Sequence, residues 1–216
     1  AVSHTEIVPG NELEVIVAAK GGGSEAKSKL VMLNPSDSVI DWVVKTVPSM
    51  GAGWCPPGML GIGIGGTPEK AMLLAKASLM APIDMAELIA RGPSNSLEEM
   101  RITLYEKVNA LGIGAQGLGG LTTVLDVKIL DYPTHAANLP VAMIPNCAAT
   151  RHAHFVLDGS GPVSLHPPSL SDWPQVTWTA DTKTSERVDL NHLTPETVAA
   201  WKPGQTLLLN GKMFTG

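Results

Sequence analysis

Charge is the first thing this chain has little of. Asp, Glu, Lys and Arg together make up 16% of its 216 residues, with a net charge of -5. A general nucleic-acid or polyanion binder needs a basic patch, so that class is excluded. Aromatic residues are equally scarce, at 4%. No apolar run approaches the length of a membrane span. There are only two cysteines, Cys55 and Cys147, and no C-x-x-C pair. That is too few for a disulfide framework or an all-cysteine zinc site. The first residues carry no secretory-signal pattern, so reduced thiols in the cytoplasm are the expectation. What is abundant is glycine and proline, at 22 and 17, beside 44% hydrophobic residues. Enough apolar residues for a core together with many turn residues point to a loop-rich α/β enzyme rather than to disorder.

The glycines are concentrated around one stretch, GAGWCPPGMLGIGIGG at Gly51–Gly66. Pro56 and Pro57 stiffen the turn that carries Cys55. The simplest reading of such a thiol is a buried cysteine beside a core strand. Met59–Ile64 alternates apolar residues with glycine and predicts a central strand pressed against another backbone. Two other glycine loops stand out, KGGGSE at Lys20–Glu25 and GIGAQGLGG at Gly112–Gly120. The first is not a P-loop, because no Lys-Ser/Thr pair closes it.

Around these loops the pattern predicts strands over Glu12–Ala19 (buried), Lys29–Leu33, Leu121–Leu130, Val141–Ile144 and Val188–Leu190. Helices are predicted over Asp37–Val47, from a Thr67 cap and Pro68 to about Met80, and from an Asn95 or Ser96 cap to about Leu111. Met85, Leu88 and Ile89 mark a helical connector. A short capped helix starts at Thr194-Pro195, and Asn210-Gly211 suits a tight turn. From Gly159 to Ser185, Pro, Ser, Thr and Trp dominate and periodicity is lost, as in a linker or crossing arm. The expected architecture is α/β, with mixed sheets and flanking helices. It divides into 1–158, a 159–186 arm and a further domain beginning at 187.

For chemistry, a Cys–His nucleophile pair could be drawn from Cys55 or Cys147 with His135 or His152. Both thiols are flanked by prolines and apolar strands rather than cations, which does not favour an activated thiolate. Iron–sulfur ligation suits rigid cysteine turns beside glycine-lined backbone better. His135 is open to a plain structural reading as a loop histidine. Arg151 is expected to pair with an acidic neighbour, and Asp126 and Asp131 to act as bases or to bind backbone amides.

Five stretches, in this order and spacing, resemble the iron–sulfur class I fumarate hydratases and the related L-tartrate dehydratases. They are AKGGGSE at Ala19–Glu25, GWCPPGMLGIGIGGTPEKAMLLAK at Gly53–Lys76, LGIGAQGLGG at Leu111–Gly120, PTHAANLPVAMIPNCAATR at Pro133–Arg151 and LLLNGKMFTG at Leu207–Gly216. The resemblance implies a [4Fe–4S] cluster held by three cysteines, two of them Cys55 and Cys147 and the third upstream of residue 1. It implies a dicarboxylate substrate contacted by His135 and by the backbone at Gly23. It also implies that 1–158 is part of the catalytic (alpha) domain and that 187–216 begins a C-terminal (beta) domain. No catalytic acid or base is assigned within 1–216. The expected reaction is reversible hydration of fumarate to L-malate, with L-tartrate or mesaconate as alternative substrates of the same family. A fragment that folds and dimerises without activity is the non-enzymatic alternative. A homodimer is the expected assembly.

Overall fold

The structure, a computed structural model, describes residues 2–165, 169, 171, 177, 179 and 181–214. Its centre is a four-stranded mixed sheet in the order β2 (Lys29–Leu33), β5 (Leu139–Cys147), β3 (Gly58–Gly65), β4 (Val124–Tyr132). β3 runs parallel to β4 and antiparallel to β5. Strands alternate their side chains between faces. Leu60, Ile62, Val141 and Met143 therefore enter one core with α2 (Val39–Ser49), α4 (Met85–Arg91) and α5 (Ser96–Asn109). Met59, Ala142 and Ile144 enter a second core under α3 (Pro68–Ser78). Covered on both faces, β3 has no need of polar positions, which is why it reads as a continuous apolar and glycine run.

Glycine at 61 and 63 follows from how close α3 lies. A Cβ at Gly61 would sit 2.5 Å from Leu79 Cγ and 2.8 Å from Ser78 Oγ, and one at Gly63 would sit 2.6 Å from Ala75 N. The expected close approach is thus that of a helix backbone onto the strand.

The α3 and α5 helices begin at the Thr67 and Asn95 caps expected of them, while α2 starts at Val39, two residues later than expected, behind a Ser38 cap. Ser38 Oγ accepts from Asp41 N at 3.1 Å, Thr67 Oγ1 from Lys70 N at 3.3 Å and Asn95 Oδ1 from Glu98 N at 3.0 Å. α2 buries Val39, Val43 and Val47, one every helical turn. α5 stops at Asn109, two residues before the expected end. There Asn109 Oδ1 accepts from Thr123 N at 2.7 Å and Val124 N at 2.9 Å, which ties the helix end to the start of β4.

Three expectations need correction. β1 (Leu13–Ala19) is a strand, but most of it is exposed. It pairs only with β6 (Arg151–Leu157), as a two-stranded ribbon with no core face. Within Lys20–Glu25, residues Gly22–Glu25 form a helical turn, α1, rather than an open loop. Near the end, β8 (Leu207–Asn210) pairs in parallel with β7 (Glu186–Asp189), with α6 (Pro195–Ala200) between them in sequence. Asn210-Gly211 therefore ends a strand and does not turn a hairpin. The arm expected over 159–186 lies in part outside the described residues. Among the described residues, no helix is long and apolar enough to cross a membrane.

Asp126 does bind a backbone amide, as one of its two expected readings has it, and it pairs with two cations besides. It is fully buried and bound to Arg101 Nη2 and Lys128 Nζ, both at 3.1 Å. Asp84 pairs with the same two cations and donates its own N–H to Asp126 Oδ2 at 2.9 Å. Two anions against two cations leave this cluster neutral. Burial pushes the Asp84 carboxyl up, but hydrogen bonds and charge from Arg101 and Lys128 outweigh it and bring the group from 3.8 to about 2. A carboxyl depressed in the folded state contributes stability above its ordinary pKa and loses it as pH falls through the folded value. Melting temperature should therefore fall between pH ~4 and pH ~2, and Asp84→Asn should flatten part of that fall. Parallel melting curves for the two proteins across this window would refute the assignment.

Candidate functional site

Cys55 sits in a tight turn leading into β3. Its N–H donates to Ala52 O at 2.9 Å, its φ is +58°, and the following Pro56–Pro57 bond is cis. The expectation of a buried thiol is overturned, because Cys55 is exposed and its neighbour Trp54 takes the core position. The indole anchors the turn and leaves the thiol facing outward. A Cβ at Gly58 would lie 3.0 Å from Trp54 Cζ3, so that glycine makes room for the ring.

Both other glycine loops close on this turn. Gln116, also at positive φ, donates its N–H to Pro56 O at 2.6 Å. A Cβ at Gly117 would stand 3.0 Å from Ala52 Cβ. From the other side, a Cβ at Gly23 would come within 2.6 Å of Gly53 O, so only glycine lets α1 lie against the turn. Nothing in the local sequence indicates that loops near residues 23, 55 and 116 converge.

Cys147 ends β5 and stands opposite Gly58 in the β3–β5 register, three residues after Cys55 in the β3 lead-in. The two thiols therefore share one corner of the sheet, Cys55 exposed and Cys147 half-buried. The chain turns after Cys147, where Thr150 N–H donates to Cys147 O at 3.2 Å and Thr150 Oγ1 donates to Ala19 O at 2.8 Å. Arg151 does not pair with an acid. Its Nη1 donates to Ala149 O at 2.8 Å and Thr150 O at 2.9 Å, which stiffens the same turn.

The sequence reading missed the charges around this corner. Lys20, which follows Ala19 directly, has a side chain only 7% exposed. Its Nζ donates to Ser24 Oγ at 3.1 Å and lies 3.5 Å from Glu25 Oε1, while Lys76 of α3 pairs with the same carboxylate. Burial is the largest influence on Lys20 and lowers its pKa, opposed by Glu25 and by Cys147. Glu25 is pushed up by burial but ends below the ordinary range because Lys76 and Lys20 bond and attract it. Asn146, beside Cys147, is fully buried and neither Oδ1 nor Nδ2 has a partner in the structure. By strand alternation this amide shares the α3 face with Met59, Ala142 and Ile144, the face opposite that of Cys147. A hollow of about 330 Å³ lined by Met59, Pro82, Ile83, Leu125, Ala148 and His152 adjoins the turn. Burial lowers the His152 pKa there.

His135 lies elsewhere. β3 and β4 run parallel, with Gly58 beside Val124 and Gly65 beside Tyr132. The loop after Tyr132 thus leaves the sheet at the end opposite the cysteines, roughly 20 Å away at about 3.3 Å per residue. His135 is exposed and its Nδ1 accepts from Ala137 N–H at 3.1 Å. Thr134 Oγ1 pins this loop to Gly66 O at 2.9 Å. One chain therefore brings Cys55, Cys147 and Gly23 together and keeps His135 apart. Among the described residues, no three His, Cys, Asp or Glu side chains cluster to hold a metal.

Residues 1–156, which carry this whole corner, match the family model described as fumarate hydratase (Fumerase). The chain belongs to that family. Residues 159–216 match the model described as Fumarase C-terminus. Among relatives, a protein of Methanocaldococcus jannaschii, provisionally named L(+)-tartrate dehydratase subunit alpha, is 43% identical over 145 residues, covering 66% of this chain and 49% of that protein. The L(+)-tartrate dehydratase subunit alpha of Escherichia coli O157:H7 is 32% identical over 156 residues, and that of strain K12 31%. Each of these two alignments covers 70% of this chain and 50% of the relative. The chain spans about half the length of these relatives. Within the fumarate hydratase family, then, this chain contributes one corner with two thiols and a half-buried cluster of two lysines and a glutamate.

Proposed function

We propose that the chain forms part of an iron–sulfur hydro-lyase that removes water from a hydroxylated four-carbon dicarboxylate, with L(+)-tartrate as the favoured substrate. The observation that carries this reading is the meeting of Cys55 and Cys147 at the Gly58 corner. The corner fits a thiolate-bound cluster. Cys55 is exposed on a stiff turn, Cys147 ends the strand beside it, and Lys20 and Lys76 outnumber Glu25. Cys55 and Cys147 would be two of the ligands, with a third from outside the described residues. When bound, such a cluster supplies an open iron, a Lewis acid able to polarise the hydroxyl and carboxylate of the substrate.

This chain's own residues do the rest. The cysteine turn is held rigid by Trp54, Gln116 and the Gly23 contact, so its sulfur needs little reorganisation. Gly23 brings the α1 backbone against the cysteine turn, where a side chain would meet Gly53 O. The buried cations favour an anionic occupant at the corner. Two thiols kept free suit the reducing cytoplasm.

L(+)-tartrate is favoured over fumarate because the relatives above are named alpha subunits of L(+)-tartrate dehydratase. The family model's description keeps fumarate hydration as a second reading. Loss of water from tartrate gives the enol of oxaloacetate, whereas malate gives fumarate, so the products separate the two. Full-length protein, reconstituted anaerobically with iron and sulfide, should form oxaloacetate from L(+)-tartrate with a higher kcat/KM than it shows for fumarate or malate. A faster fumarate reaction would reverse the substrate assignment, and absence of cluster absorbance would end the iron–sulfur reading.

His135 reaches a dicarboxylate at the cysteine corner only if it comes from another copy, since its own corner lies at the far end of the sheet. We therefore propose a homodimer in which His135 of one copy serves the cysteine corner of the other. A monomeric mass at assay concentration with activity intact would rule this out.

A further inference from the structure

We propose that Lys20 is a positioning residue for the Cys147 corner, a fixed positive charge that balances the thiolate-bound group and helps set its redox potential. The inference rests on the iron–sulfur reading above and assigns a role to a side chain outside the expected ligand set.

The backbone places Lys20 at this corner. β1 ends at Ala19, which pairs with Arg151 in the β1–β6 register and accepts the Thr150 hydroxyl bond at 2.8 Å. Thr150 in turn bonds Cys147 O. Lys20 is therefore one residue beyond a junction that two hydrogen bonds fasten to the Cys147 turn.

Its side chain is held there rather than reaching for solvent. Ser24 Oγ donates to Gly21 O at 2.9 Å, which turns a lone pair towards the ammonium, and the ammonium donates to it at 3.1 Å. Among the described residues, the one carboxylate paired with it, Glu25 at 3.5 Å, is shared with Lys76. One anion between two cations leaves a net charge of about +1, with the Lys20 side chain its buried member. An ammonium carries three N–H donors, and these partners do not saturate them. An uncompensated buried charge is costly unless an anion faces it. Cys147 is the anion-forming group on the adjoining turn, and its charge pulls the Lys20 pKa upward against burial.

The sign of the effect follows from electrostatics. Reduction adds negative charge to a cluster, so a nearby cation favours the reduced form and raises the potential. The test uses full-length protein reconstituted with iron and sulfide, with the midpoint potential read by EPR-monitored titration and iron counted separately. Lys20→Met should move the midpoint to more negative values. Lys20→Arg, which keeps the charge, should return it towards wild type. Glu25→Gln, which removes the anion from the same cluster, should move it the opposite way. A residue that merely braces α1 would not produce shifts of opposite sign in the two neutralising variants. Clusters that form normally with unshifted midpoints, or that shift in the same direction in Lys20→Met and Glu25→Gln, overturn the proposal. If Lys20→Met does not fold, Glu25→Gln decides alone, since an unshifted or negative displacement contradicts the charge argument. A wild-type protein that binds no cluster removes the hydro-lyase reading itself, and this inference with it.

Discussion

Replacing Cys147 or Cys55 by serine should leave full-length protein almost without iron after reconstitution, while the apo-protein melts at nearly the wild-type temperature. Thiolate is a soft ligand that iron–sulfur clusters require, and a serine hydroxyl is neither soft nor deprotonated near neutral pH. The structure makes the second half of the expectation specific. Cys55 is exposed and contributes nothing to the core, and Cys147 is only half-buried. Surface substitutions of this size change stability by about 0.5 kcal/mol or less. Trp54, Pro57 and Gln116 continue to shape the turn when the sulfur is gone. Iron loss without loss of fold is therefore the signature of a ligand. Iron content equal to wild type in either variant would remove that residue from the ligand set. A drop in melting temperature matching the drop in iron would assign it a structural role instead.

Gly63→Ala should severely damage the packing of α3 on β3. The added Cβ would stand 2.6 Å from Ala75 N, against helix backbone and not against a side chain that could swing aside. α3 must then move off β3, and Ala71, Ala75 and Leu79 lose part of their packing in the second core. Overpacking of a well-filled core costs about 1–3 kcal/mol and more where backbone must shift, so a loss of about 3 kcal/mol is expected. Against a total stability of about 5–15 kcal/mol this is severe. Chemical denaturation should show a lower midpoint with an unchanged slope. Gly22→Ala is the matched control, because a Cβ there meets nothing within 4 Å. Equal losses in the two variants would point to conformational entropy and not to the helix–strand contact.

Much of the fold was legible because its signals are local. Thr67 and Asn95 cap the helices they were expected to cap, and the valine stripe of α2 faces the core. β3 was legible as a central strand because a run without polar positions must be covered on both faces. β1 was misread for a related reason. Its apolar residues look like a core strand, but burial depends on what lies above it, and only β6 comes. Parallel pairing of β7 with β8 was equally hidden, since Asn210-Gly211 carries hairpin chemistry whatever its strand pairs with. At the site, the motifs around Cys55, Cys147 and Gly23 could be read from the sequence. The salt bridge between Glu25 and Lys76 spans 51 residues and leaves no trace in either segment. The ion pairs of Asp126 were hidden as well, since Arg101 lies on α5, far from it in sequence, and Lys128 is one of many strand positions. The separation of His135 from the cysteines depends on strand direction, which no motif encodes.

The β1–β6 ribbon also divides the molecule into parts that open on different timescales. Leu13, Ile16, Val17 and Val156 are exposed on it, and no third strand joins it. Its amides should exchange with solvent through local opening, while those of β3 and β5 wait for the whole sheet to unfold. Lys20 and the turn after Cys147 stand at the root of that ribbon. Breathing of the ribbon would carry the ammonium and the strand end apart while the Cys55 turn, held by Trp54 and Gln116, stays in place. An occupant anchored to both sides would therefore slow exchange across the ribbon amides, linking the dynamics of an exposed two-stranded ribbon to occupancy of the cysteine corner.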